Sequence, residues 1–268
     1  MFESIPPVEP RARPATNYHR DLRPLAAQEW LAAGWADFRR NPGQSLAYGF
    51  AVFLLSAVIV LGLFHLDFPN LIFPALSGFL VVGPLLAVGL YEKSRRLQAG
   101  QSTSLSHMIV TRPRSGGQFL FAGLLLCTLV MLWLRAADLL YALFFGMVAF
   151  PGFDHILTQV FATPRGLALV AVGSAVGGLF AAFAMSISLF SIPMLLERRT
   201  DALTALGTSF ALTTKNLRAV LPWGAIVVIG FVLCAATGLL GLIVIFPVLG
   251  HGTWHAWRAM NWPAGVDE

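Results

Sequence analysis

Charged residues are scarce in this sequence. Asp, Glu, Lys and Arg make up 12% of the 268 residues, which is about half of the roughly 25% that is typical of a soluble domain. Hydrophobic residues account for 57%, and the mean hydropathy is +0.73. This balance excludes an ordinary soluble domain and predicts an integral membrane protein.

Cysteine is nearly absent, and the motifs of several enzyme classes are missing. The two cysteines, Cys127 and Cys234, lie inside apolar runs, where a buried thiol acts as a small apolar residue. No disulfide framework is therefore expected. The sequence contains no phosphate-binding glycine loop and no nucleophile elbow. We predict neither an enzymatic activity nor a bound cofactor.

The first 24 residues contain no apolar run, which excludes a cleavable signal peptide. Five prolines are interleaved there with charged residues. We expect residues 1–24 to form a disordered cytosolic arm. Residues 25–260 are predicted to form one membrane domain, and residues 261–268 a cytosolic tail.

The basic residues are concentrated on one side of the apolar stretches. Of the 18 Lys and Arg, all but Arg135 and Arg165 fall in four segments. These segments are residues 1–40, residues 93–114, residues 198–218 and Arg258. The asymmetry follows the positive-inside rule and predicts that both termini are cytoplasmic. Because these residues flank loops and do not form a patch with interleaved aromatics, no nucleic-acid partner is predicted.

Five apolar stretches are long enough to cross a bilayer, which requires about 20 apolar residues in a helix. They are residues 45–65, 71–91, 118–150, 166–193 and 219–251. The last stretch, about 33 residues and roughly 50 Å long as one helix, exceeds a single crossing. Two short helices that turn near Thr237 and Gly238 fit it better. The alternative, one tilted helix, would place the C-terminus outside.

A unit of three elements recurs along the chain. It begins with a short segment that carries an apolar stripe and basic residues, as is typical of a helix in the membrane interface. These segments are residues 26–41, 105–112 and 200–218. Each precedes a pair of spans, and the second span contains a proline that is expected to kink it, namely Pro84, Pro193 or Pro247. We predict an all-α transmembrane bundle of about six spans, built from three repeats of interfacial helix plus helical hairpin.

Three segments carry a resemblance to a known family. Their sequences are GWADFRRNPGQSLAYG at residues 34–49, GLYE at residues 89–92 and GHGTWH at residues 250–255. Together they resemble a family of bacterial predicted integral membrane proteins that is defined only as a domain of unknown function. The resemblance covers residues 25–260 and implies a six-helix protein of the bacterial inner membrane without an established activity. Some relatives are labelled as cytochrome c oxidase subunits, which the sequence does not support by itself.

Two ionisable residues interrupt the third apolar stretch. Arg135 and Asp138 are three residues apart, so in a helix they share a face and can neutralise each other. They lie roughly 25 Å along the helix from Gln118 and thus nearer the outer interface than the midplane. An arginine side chain can reach water from that depth. We interpret them as a structural intramembrane ion pair, with a role in a polar pathway as the alternative.

Small residues cluster in the fourth apolar stretch. Gly173, Gly177 and Ala181 recur at every fourth position, a spacing that allows helices to approach closely. We predict that this face packs inside the bundle. Dimerisation of the protein through the same face is the alternative.

Four residues at the inner ends of the kinked helices are candidates for a ligand site. His251 and His255 share a helix face, and Glu92 and Glu197 are expected at a similar depth. Two histidines and a carboxylate can hold a divalent metal ion, and two histidines can hold a haem. Each glutamate also precedes basic residues with which it can pair. Anchoring at the membrane interface is therefore the favoured interpretation.

Three classes of function remain open. The first is a non-enzymatic accessory or scaffold protein that contacts the lipid bilayer and other membrane proteins or further copies of itself. The second is a small transporter or channel, although few polar residues lie near the midplane of the spans. The third is a metal- or haem-associated subunit of a respiratory membrane complex. The sequence favours the first.

Overall fold

The computed structural model describes residues 17–66, 68, 71–146, 158 and 160–261. Helices are the regular secondary structure throughout those ranges. Five helical segments are long and apolar enough to cross a membrane. The prediction of an all-α, multi-pass membrane bundle is therefore confirmed.

The first unit consists of four helices. They are α1 (Ala26–Arg39), α2 (Pro42–His65), α3 (Ile72–Leu86) and α4 (Val88–Gln98). Asn41 has a left-handed backbone conformation, with φ 57°, and so turns the chain between α1 and α2. Pro42 then starts α2, where a residue without a backbone N–H is tolerated because that donor has no partner inside the helix.

The second unit repeats this order. Its helices are α5 (Leu105–Ile109), α6 (Gly116–Phe145), α7 (Pro164–Ser188) and α8 (Ser191–Glu197). Ser104 and Thr163 cap α5 and α7. Their side-chain oxygens accept hydrogen bonds from the backbone N–H groups of His107 and Gly166, which have no acceptor within the helix.

The third unit completes the bundle. Its elements are α9 (Ala202–Lys215), α10 (Leu217–Ala236), a 3-10 helix (Leu240–Ile243) and α11 (Ile245–Met260). The chain turns after α10 at Gly238 and Leu239, which both have positive φ. Residues 219–251 therefore form two helices that turn where the sequence predicts, and not one tilted helix.

The sixth predicted span differs from the other five. The segments with the length and hydropathy of a crossing are Pro42–His65, Ile72–Gln98, Gly116–Phe145, Pro164–Glu197 and Leu217–Ala236. In contrast, α11 has 16 residues, or about 24 Å of helix. Its second half carries His251, His255 and Arg258. The last unit therefore returns through a 3-10 helix and a shorter, more polar α-helix.

Each unit interrupts its returning helix close to the predicted proline. The interruption lies three residues before Pro193, at Phe190, and three residues before Pro247, at Val244. A proline lacks the N–H that would bond to the preceding turn, so these are positions at which it bends a helix. Pro84 lies inside α3, and that helix ends two residues later.

The short helices of the three units gather at one end of the bundle, which we call the basic end. It comprises α1, α4, α5, α8, α9 and the second half of α11. Tyr91, Trp254 and Trp257 are fully buried there. In α2, α6 and α7, by contrast, large apolar side chains are exposed, as at Val58 and Leu143. These apolar faces form the surface that contacts lipid.

The segment before α1 is attached to the basic end. The backbone N–H of Arg20 donates to Asn216 Oδ1 at 2.7 Å, and Asn216 Nδ2 donates to the Tyr18 carbonyl at 2.8 Å. The Arg20 side chain donates to the carbonyl of Met260, at the end of α11, at 2.9 Å. Residues 17–24, within the predicted arm, are therefore held in place. The rest of the arm and the predicted tail after Asn261 lie outside the described residues.

Candidate functional site

A close approach of helices creates a buried polar site at the basic end. A Cβ atom at Gly34 would lie 2.5 Å from the Val248 carbonyl oxygen and 2.6 Å from the Gly252 nitrogen. Only glycine therefore lets α1 and α11 pack backbone to backbone. At Gly49, a Cβ atom would lie 2.4 Å from the Ile243 carbonyl oxygen, so α2 is equally close to the 3-10 helix. These contacts bring polar side chains of α1, α2, α4 and α11 together.

His251 is at the centre of this site. Its ring is fully buried. Nε2 lies 3.0 Å from Ser45 Oγ, and Nδ1 lies 2.8 Å from Ser94 Oγ. Lys93 Nζ donates to Ser45 Oγ at 2.8 Å and to the Asn41 carbonyl at 3.0 Å. Ser45, Lys93 and Ser94 are buried as completely as His251, so their polar atoms depend on protein partners.

Asp37 of α1 supplies the acidic group of the site. Its carboxylate accepts a hydrogen bond from His255, whose Nε2 lies 2.8 Å from Oδ2. Burial by itself raises the pKa of Asp37, but the polar hydrogens of His255 and Ser94 and the charges of the nearby histidines outweigh burial and lower the pKa below its ordinary value. Asp37 is therefore a carboxylate at neutral pH. The polar cluster is defined as Asp37, Ser45, Lys93, Ser94 and His251.

The hydrogen bond of Trp254 determines which ring nitrogen of His255 carries the proton. The Trp254 indole N–H can only donate, and it donates to Gln98 Oε1 at 2.9 Å. The amide nitrogen of Gln98 therefore faces His255 Nδ1, at 3.3 Å, and this ring nitrogen accepts. The proton of His255 consequently lies on Nε2 and is donated to Asp37.

Hydrogen bonds link four members of the polar cluster in a row. An ammonium group only donates, so Ser45 accepts from Lys93. The two ring nitrogens of His251 lie between Ser45 and Ser94. The row therefore runs from the Lys93 ammonium to Ser94, and the Asp37 carboxylate lies near its end, where Ser94 helps to lower the pKa of Asp37.

Sequence reasoning identifies only His251 among the five members of the polar cluster. Asp37 lies off the apolar stripe of α1, which is typical of a solvent-exposed charge. Lys93 belongs to a basic segment that the positive-inside rule already explains. A signal is nevertheless present, because Asp37 and Ser45 lie inside the first segment that carries the family resemblance. Lys93 and Ser94 directly follow the second segment, GLYE.

The two glutamates predicted at the ligand site have separate partners. Glu92 accepts two hydrogen bonds of 2.8 Å from the guanidinium group of Arg95. Glu197 accepts from Trp257 Nε1 and from Arg258, both at 2.8 Å. Each glutamate is therefore engaged by a basic residue, and a structural role for both stays a prediction.

His251 and His255 do not fit as ligands of a metal ion or a haem. All four of their ring nitrogens have side-chain hydrogen-bond partners, which leaves no lone pair directed at an ion. Within the described ranges, no three His, Cys, Asp or Glu side chains are grouped to hold a metal. His251 also differs from the expected interface anchor, because it is fully buried inside the protein.

The predicted ion pair lies on α6, away from the polar cluster. Arg135 is exposed and Asp138 is half-buried. Their position one turn apart on one helix is as predicted. Their mutual pairing stays a prediction.

The predicted small-residue face of α7 makes one close contact. A Cβ atom at Gly177 would lie 2.7 Å from the ring of Trp133 on α6. A Cβ atom at Gly173 would have no described atom within 4 Å, and Ala181 is half-buried. Trp133 is fixed in this position because its Nε1 donates to Ser77 Oγ of α3 at 2.8 Å.

Comparison with known proteins agrees with this architecture. A family model described as "Predicted integral membrane protein (DUF2189)" matches residues 72–197. This confirms the predicted resemblance. The matched range runs from α3 to α8, so it contains Lys93 and Ser94 and leaves out the other members of the polar cluster. No curated protein and no solved structure matches the chain.

Proposed function

We propose that this protein is a non-enzymatic accessory or scaffold protein of the bacterial inner membrane, which holds a platform of short helices at the cytoplasmic surface. The polar cluster is the observation that supports this proposal. It fastens α1 to α2, α4 and α11, and four of its five members are fully buried. A catalytic acid or base must contact its substrate, whereas the hydrogen bonds of these groups go to one another, to His255 and to the Asn41 carbonyl. A closed network of this kind fixes the relative positions of helices.

Exposed apolar side chains give the platform a surface. Trp35 on α1, Ile109 on α5 and Leu203 on α9 are 45%, 68% and 66% exposed. An amphipathic helix in the membrane interface buries such side chains among the lipid headgroups. Three helices held in this way offer a rigid surface to the bilayer and to another membrane protein.

The orientation of the platform is tested with topology reporters. Fusions after Gly100 and after Asp201 should report the cytoplasm, and a fusion at Asp154 should report the periplasm. A periplasmic signal after Asp201 would contradict both the six-span scheme and a cytoplasmic platform.

The scaffold role is tested by what co-purifies with the protein in mild detergent. The wild type should yield a membrane-protein complex of fixed stoichiometry. Trp35→Ala combined with Leu203→Ala should release the partner, because both side chains lie on the exposed faces of the platform. Leu143→Ala, at an even more exposed apolar position on α6, is the control and should retain it. Recovery of the wild type alone would contradict a scaffold role.

A small proton-linked transporter is the second candidate function. The row of buried hydrogen bonds from Lys93 through Ser45 and His251 to Ser94 is the observation that favours it. The test uses vesicles that contain the protein and a trapped pH-sensitive dye. The scaffold proposal predicts a proton flux no higher than that of empty vesicles. A flux that His251→Ala abolishes and Thr128→Ala, a polar change outside the cluster, retains would favour the transporter.

A further inference from the structure

A large apolar cavity lies between α3, α7, α10 and α11. Its volume is about 660 Å³, within the range of about 300–1,000 Å³ that is typical of ligand sites. Phe79, Met185, Trp223 and Phe246 are among its lining residues, and nearly all of the lining is apolar. Such a cavity holds water poorly, so a hydrocarbon chain is the occupant that matches its chemistry.

The cavity is open to the lipid between α7 and α10. Leu179 and Phe183 of α7 and Leu221 of α10 line it, and each of these side chains is at least half exposed. These exposed side chains belong to two of the membrane-spanning segments. A chain from the surrounding bilayer therefore reaches the cavity without crossing water.

Basic residues flank one end of the cavity. Thr214 and Leu217, at the junction of α9 and α10, line this end. Lys215 and Arg218 are their neighbours in sequence, and both are exposed. Neither has an ion pair or a side-chain hydrogen bond to the described part of the chain. Two unpaired cations thus stand where a lipid whose chain entered the cavity would carry its headgroup.

Trp223 marks the deeper part of the cavity. It is one of the lining residues, and its side chain is fully enclosed by the protein. Trp223 lies five residues beyond Arg218 on α10, roughly 8 Å deeper along the helix. A chain in the cavity therefore lies close to the indole ring, although the ring itself is covered by protein atoms.

We propose that this cavity binds an anionic phospholipid from the leaflet at the basic end. One acyl chain occupies the apolar cavity, and the phosphate contacts Lys215 and Arg218. The two cations select an anionic lipid over a zwitterionic one, because basic residues near the surface attract a net negative headgroup. This binding does not depend on the scaffold role.

The test measures the quenching of tryptophan fluorescence in vesicles. The full-length protein is reconstituted into phosphatidylcholine vesicles that contain a small fraction of phosphatidylglycerol with brominated acyl chains. Bromine quenches the fluorescence of nearby indoles. The difference in quenching between the wild type and Trp223→Phe is the contribution of Trp223, and it reports a chain in the cavity. This part should saturate at a low fraction of brominated phosphatidylglycerol. The same fraction of brominated phosphatidylcholine should quench much less.

A matched pair of variants tests whether the chain lies in the cavity. Gly83 lines the cavity, and a Cβ atom there has no described atom within 4 Å. Gly83→Leu should therefore fill the cavity without a backbone clash and abolish the quenching of Trp223. Gly62 on α2 is equally open but lies outside the cavity. Gly62→Leu should leave the quenching unchanged.

A second pair tests the headgroup contact and does not alter the cavity. Lys215→Gln with Arg218→Gln should weaken binding of phosphatidylglycerol about fivefold for each charge removed. Arg112→Gln with Arg114→Gln, which removes two exposed charges from the same end, should have no effect on the quenching of Trp223. Equal quenching by the two brominated lipids would overturn the proposal. Quenching that persists in Gly83→Leu would overturn it as well.

Discussion

The basic end and the middle of the spans are packed in different ways. At the basic end, glycines bring backbones into contact, large aromatic rings are fully buried and a lysine ammonium donates two hydrogen bonds to protein oxygens. Between α3, α6 and α7 there is instead a second apolar cavity of about 540 Å³. Inside a bilayer, lipid tails are as apolar as leucine, so no hydrophobic effect drives these helices together. We infer that the basic end determines how the spans are arranged.

Removing one charge of the polar cluster should have the largest effect on stability. Lys93→Met leaves the Asp37 carboxylate without its opposite charge, and breaking a buried pair costs about 3–5 kcal/mol. Lys93→Met combined with Asp37→Asn should cost less than the sum of the two single changes. The measurement is the free energy of unfolding in detergent. Additive losses would show that the two groups are not coupled through Ser45, Ser94 and His251.

A methyl group between α1 and α11 should have the next largest effect. Gly34→Ala places a Cβ atom 2.5 Å from the Val248 carbonyl oxygen, and such overpacking typically costs about 1–3 kcal/mol. Gly62→Ala on α2 meets no described atom within 4 Å. It should leave stability unchanged or raise it by up to about 1 kcal/mol, since alanine favours the helix. Equal melting temperatures of the two variants would contradict the close packing of the basic end.

Much of the fold follows from the sequence, because hydropathy and amphipathic spacing are local properties. They predict the three units, the five long spans and the turn near Gly238. They do not show whether a proline bends a helix or starts one. Leu189 and Phe190 keep helical backbone angles before Pro193, so residues 164–197 remain one membrane-spanning segment, whereas Pro247 follows a separate 3-10 helix.

The polar cluster is much harder to predict from the sequence. Position along a helix gives the depth of His251, but not its rotation toward Ser45 and Ser94. The amphipathic pattern of α1 indicates one buried face. It does not reveal that α11 covers Asp37 on the other side. The three segments that resemble the family contain or adjoin all five members of the cluster, so they carried more information about the site than the spacing of ionisable residues.

Acidification should weaken the basic end through Asp37. The pKa of Asp37 in the folded protein lies below its ordinary value near 3.8. Its stabilising contribution is therefore complete above the unfolded-state pKa and is lost as the pH falls through the folded-state value. Between about pH 5 and pH 2, the wild type should lose stability more steeply than Asp37→Asn. Equal slopes in thermal unfolding would contradict a carboxylate that is stabilised by Ser94 and His255.

The smallest effect is expected at the predicted ion pair of α6. Asp138→Asn should lower the yield of folded protein more than Asp138→Asn with Arg135→Gln, because an unpaired charge is less favourable than a missing pair. Arg135 is exposed, so the difference should remain below about 1 kcal/mol. Equal yields would indicate that both groups already reach water.

The same variants sharpen the contrast between the two regions. Single neutralisation of a charge should be several times less damaging at Asp138 than at Lys93, since the Lys93 side chain is fully buried. Both variants are compared by the fraction of monodisperse protein after purification in one detergent. If Asp138→Asn were as damaging as Lys93→Met, contacts in the outer half of α6 would also determine how the spans are arranged. The arrangement of the spans would then not be determined at the basic end alone.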